Sequence, residues 1–109
     1  VIDDEDDVAI AAITVAELQL GIELSKGRTR IGRQQFLDGI IASIPVLNYD
    51  LAVAQAHAEL LGTVRKQGRP RGAHDLIIAA TSRSSKRSLV TADKTGFIGL
   101  PGVTVVVSR

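Results

Sequence analysis

The chain has no cysteine, no methionine and no tryptophan, and its aromatic side chains amount to one tyrosine and two phenylalanines. Without cysteine there is neither a disulfide nor a thiolate metal site, which fits a reducing compartment. Phe36, Tyr49 and Phe97 are too few to build a platform on which bases stack. No apolar run approaches the ~20 residues needed to span a bilayer, and no signal peptide is legible. A cytoplasmic protein without a membrane partner is therefore the simplest expectation. Neither a Ser-His-Asp nor a Cys-His arrangement is present, and no glycine-rich loop is suited to cradling phosphate.

What is present is an uneven distribution of charge. Five of the 12 acids form the run Asp3, Asp4, Glu5, Asp6 and Asp7, which leaves seven against 13 Lys and Arg, a net charge of +6 over the rest of the chain. The cations cluster at Lys26, Arg28, Arg30 and Arg33, at Arg65, Lys66, Arg69 and Arg71, and at Arg83, Lys86 and Arg87. A basic body with few acids suits a polyanionic partner, because cations near phosphates release counterions. Solvated helix ends account for such clusters equally well.

At 109 residues the chain is the size of one domain with one core. Residues 8–13 are an unbroken apolar run, which predicts a strand buried on both faces. Thr14 is placed to cap a helix that stops near Gly27, and a second helix is predicted from about Ile31 to Ala42. Pro45 precedes a short strand at Val46-Leu47. Asp50 reads as the N-cap of a third helix closing at Gly68, with Leu51, Ala54, Ala58, Leu61 and Val64 on one face. After the breaker-rich segment Gly68–Gly72, Asp75 opens an apolar helix, and strands follow at 88–91 and 103–107. Alternating strands and helices predict a parallel sheet covered on both faces.

Three carboxylates stand where apolar elements meet turn chemistry: Glu17, Asp75 and Asp93. Carboxylates gathered by a fold make a hard-cation site and point to metal-assisted chemistry on phosphate. Each also has an ordinary reading. Thr14-Val15-Ala16-Glu17 has the form of a capping box, Asp75 that of an N-cap, and Asp93, directly after a strand, that of a turn residue. Asp93 is equally placed where ligands gather in open α/β sheets, at the carboxyl ends of strands. His57 and His74 lack a second histidine at metal-binding spacing and read as structural.

Ile13-Thr14-Val15-Ala16-Glu17-Leu18, His74-Asp75-Leu76-Ile77-Ile78-Ala79-Ala80 and Leu89-Val90-Thr91-Ala92-Asp93, in that order, resemble the PIN domain, and most closely the VapC-type toxins of bacterial toxin–antitoxin pairs. The resemblance covers nearly the whole chain. It implies an α/β/α sandwich with a parallel central sheet, and a Mg²⁺- or Mn²⁺-dependent ribonuclease in which Glu17, Asp75 and Asp93 are catalytic metal ligands meeting in one pocket. It further implies an RNA substrate, a cognate VapB-like antitoxin that sets a cationic side chain among the acids, and a homodimer. Arg69, Arg71 and Lys94, on loops flanking the acids, are the candidate contacts to the RNA backbone.

Two features depart from the family's pattern. The family's first acid ends a strand followed by a helix ahead of the strand matching 8–13, and Asp3 stands too close to Glu17 to contain that helix. With Val1 first and no methionine in the chain, the expectation is a PIN-like domain over residues 1–109 whose N-terminal strand and helix are missing. That strand is central in the family's sheet, so residues 8–13 and 88–91 would lack the partner between them. The second departure is Gly96, which stands where many relatives carry a further acid. Two rival readings remain: a non-catalytic module binding nucleic acid or a partner protein through the basic clusters, and a phosphoacceptor receiver domain with Asp50 as acceptor. The latter conflicts with Asp50 entering a helix instead of ending an apolar strand.

Overall fold

A computed structural model of the chain describes residues 8–91 and 94–107. Its elements, in order, are β1 (Ile10–Ala11), α1 (Ala12–Glu23), α2 (Gly27–Ser43), β2 (Val46–Leu47), α3 (Leu51–Gln67), α4 (Ala73–Ser85), β3 (Leu89–Thr91), a 3₁₀ turn (Lys94–Gly96) and β4 (Val105–Val107). They gather into two compact units that divide between Asn48 and Tyr49.

In the unit preceding Tyr49, β1 and β2 pair in parallel, Ile10 with Val46 and Ala11 with Leu47, and the Ile10 amide donates to the Pro45 carbonyl at 3.0 Å. The strand predicted over 8–13 is only two residues long, and the helix begins at Ala12. A short apolar run does not distinguish strand from buried helix by periodicity, and only the two residues that pair with Val46 and Leu47 are strand. Thr14 consequently lies inside α1, where Ala11 is the N-cap and makes no side-chain cap bond, so the capping-box reading of Glu17 fails. Helix α2 starts earlier than predicted, at Gly27. Two members of the first basic cluster are engaged with α1: Arg30 pairs with Glu23 at 3.1 Å, and Arg33 donates to the Gly21 carbonyl at 3.1 Å.

In the other unit, α3 and α4 pack together over a core of Val53, Ala56, Leu60, Val64, Leu76, Ala79, Ala80, Leu89, Phe97 and Leu100. The buried face of α3 repeats at the three- and four-residue intervals of a helix stripe. It falls on Val53, Ala56, Leu60 and Val64, and of the residues expected on that face Leu51 and Ala58 are exposed instead. Both predicted caps of α3 are present: the Val53 amide donates to Asp50 Oδ1 at 2.9 Å, and Gly68 adopts the left-handed conformation that ends helices, at φ 65°. Asp50→Ala is expected to cost about 1 kcal/mol, the usual worth of such a cap, read as a lower denaturation midpoint at unchanged slope. His57 Nδ1 lies 2.9 Å from the Tyr49 hydroxyl.

β3 and β4 pair in parallel from Leu89↔Val105 to Thr91↔Val107. The described strands thus make two separate two-stranded parallel sheets, each with helices, in keeping with the α/β architecture expected. Among the described residues no helix is long and apolar enough to cross a membrane.

Candidate active site

Asp75 sits in the first turn of α4, three residues inside the N-cap. That N-cap is Gly72, which makes no side-chain cap bond, so the capping reading of Asp75 does not hold. The carboxylate is half-buried between two glycines. A Cβ placed on Gly96 would stand 2.6 Å from Asp75 Oδ2, and one on Gly72 would stand 3.3 Å from the same oxygen. The first distance is too short for any real Cβ, so only glycine at 96 leaves the carboxylate where it is. Gly96 ends the 3₁₀ turn that comes next after β3 in the chain, so Asp75 lies against that turn.

The turn itself is fixed by its own backbone and by Arg71. The amides of Phe97 and Ile98 both donate to the Lys94 carbonyl, at 2.9 and 3.0 Å. Arg71 Nη1 donates to the Gly96 carbonyl at 3.1 Å and Nη2 to the Ile98 carbonyl at 2.9 Å. Phe97, between those two carbonyls, is buried in the core. Of the three cations expected to meet RNA, Arg69 and Lys94 are exposed, whereas Arg71 is half-buried with two of its donors committed to this turn.

Glu17 belongs to the other unit, on the exposed side of α1. It lines a cleft of about 200 Å³ together with Leu18, Gly21, Arg33, Phe36 and Leu37. Of these, Leu37 is buried at 1% exposure and Phe36 is 64% exposed. Asp93 lies outside the described residues. Among the described residues no three acids, histidines or cysteines are grouped closely enough to hold a metal ion. The donor type at Asp75 nevertheless fits a hard divalent cation such as Mg²⁺ or Mn²⁺, which takes carboxylate oxygens.

The sequence pointed to Asp75 but not to what surrounds it. Gly96 read as the loss of a donor, whereas in the fold it is the room that the Asp75 carboxylate occupies. Arg71 read as a phosphate contact because it lies on a loop flanking the acids. A glycine on each side of a candidate acid was the available signal, and it becomes legible only once the turn after β3 is known to meet the start of α4.

The chain is similar to known proteins. The chain is 30% identical over 100 residues to the tRNA(fMet)-specific endonuclease VapC of Shigella flexneri, covering 92% of this chain and 74% of that protein. It is 31% identical over 96 residues to the toxin FitB of Neisseria gonorrhoeae, covering 84% and 69%. Its fold superposes with a TM-score of 0.83, at 27% identity, on the crystal structure of VapBC-5, a member of the VapBC family of toxin–antitoxin systems from Mycobacterium tuberculosis, covering 93% of this chain and 82% of that one. The PIN domain family model matches residues 1–100, and the chain belongs to the PIN domain family.

Proposed function

We propose that this protein is a metal-dependent endoribonuclease toxin, neutralised by a cognate antitoxin. The observation that carries the reading is the Asp75 carboxylate, seated between Gly72 and Gly96 in a chain of this family. Relatives named as an endonuclease and as a toxin, and a structural neighbour that is a toxin–antitoxin complex, support it.

Asp75, with Glu17 and Asp93, would hold Mg²⁺ or Mn²⁺. Held there, such a cation would supply a water of lowered pKa and a positive charge beside the phosphate. The protein's own part is orientation and field. Asp75 is fixed by the turn beside it, so the site does not reorganise as charge develops. Exposed Arg69 and Lys94 offer cations to the backbone phosphates of the RNA, and the hydrolysis is an in-line attack by water on a phosphodiester that expels one ribose oxygen. An antitoxin arginine inserted among the acids would pair with them bidentately and exclude the cation. A homodimer belongs to the same reading.

The test is cleavage of single-stranded and hairpin RNA by the full-length protein with Mg²⁺ or Mn²⁺. Cleavage that EDTA abolishes and the antitoxin titrates away is the expected result. RNA bound with unchanged affinity but never cut would favour the non-catalytic module. Removing Arg69 or Lys94 is expected to weaken RNA binding uniformly across sequences and to lower the slope of log K against log salt by about 0.7 each, the value for one phosphate contact on a single strand.

A further inference from the structure

We infer that Arg71 is a positioning residue for the Asp75 carboxylate, acting through the turn at Gly96, and not a contact to the RNA backbone. The two nitrogens of its guanidinium fork reach the carbonyls on either side of Phe97, at 3.1 Å to Gly96 and 2.9 Å to Ile98. A planar fork with fixed donor directions suits two acceptors on one short turn, and an ammonium does not. Arg71 is also joined through the backbone to Gly72, the other glycine that flanks Asp75 Oδ2. One residue therefore ties both walls of the carboxylate's slot: its main chain runs into the Gly72 wall, and its side chain holds the Gly96 wall in place. Gly96 has no side chain with which to anchor itself, so apart from the bonds within the turn its carbonyl is the handle by which it is held. Releasing the fork lets the turn move away and frees Asp75 to rotate.

The importance of this for catalysis rests on the nuclease reading, so the test combines two kinds of measurement on the full-length protein. In metal-free protein, Arg71→Ala is expected to speed amide exchange at Phe97 and Ile98 and to shift the ¹³C resonance of the Asp75 carboxyl. In the presence of metal, Mn²⁺ affinity and kcat should each fall on the order of tenfold, as is usual when a group orienting a ligand is removed, while KM for RNA and the salt slope of binding stay as in the parent. Arg71→Lys, a point charge unable to span both carbonyls, should fall in between. Unchanged exchange and an unmoved Asp75 resonance would overturn the inference. So would a raised KM with a shallower salt slope at constant kcat, which would return Arg71 to phosphate binding. Should the parent protein cleave no RNA, the nuclease reading fails, and the metal-free measurements still decide whether Arg71 positions Asp75.

Discussion

Asp75→Asn is expected to lower the rate of RNA cleavage on the order of 10²-fold or more, the usual cost of losing a preorganised electrostatic group, while leaving the fold intact. The amide has the shape of the carboxylate and fits the same slot between Gly72 and Gly96. What changes is the charge. The loss of stability is bounded by the side chain's favourable place in the first turn of α4, worth about 0.3 to 1 kcal/mol, since the N-cap is Gly72 and not Asp75. Single-turnover cleavage and thermal unfolding of the same preparation separate the two effects. Cleavage at the parent rate would refute a carboxylate metal site at Asp75, and an unfolded variant would assign the residue a structural role.

Gly96→Ala is expected to give the second largest effect, again on rate more than on stability. The added methyl would overlap Asp75 Oδ2 at 2.6 Å, so one of the two must give way. The carboxylate is the end of a short side chain and can turn aside for less than the turn can be rebuilt. Stability is therefore expected to change by no more than about 1 kcal/mol, the scale of an off-rotamer side chain, while cleavage and Mn²⁺ affinity drop together on the order of ten- to a hundredfold. Gly72→Ala, with its contact at 3.3 Å, should do the same to a lesser degree. Parent-like activity in Gly96→Ala would mean that the position of Asp75 does not matter to the reaction.

How much of this could be read from sequence depends on the length over which each signal extends. The third helix was legible because a periodic apolar stripe is bounded by an Asp cap and a left-handed glycine, and both do in the structure what they do in isolation. The start of α1 was not, because six apolar residues in a row fit either element and the choice rests on pairing with Val46-Leu47, far along the chain. The same misplacement carried over to Thr14 and Glu17, whose capping roles required a helix beginning three residues later. Asp75 was legible as a candidate acid from its place ahead of an apolar helix. Its surroundings were not, since Arg71 and Gly96 are 25 residues apart and only the tertiary fold joins them.

The most direct measurement is single-turnover cleavage of RNA by the full-length protein with Mn²⁺ present or chelated, with Asp75→Asn run in parallel. Cleavage that requires the cation and falls at least on the order of 10²-fold in Asp75→Asn is the expected result. Equal cleavage with and without the cation, or by both proteins, would contradict a metal-dependent nuclease built around Asp75.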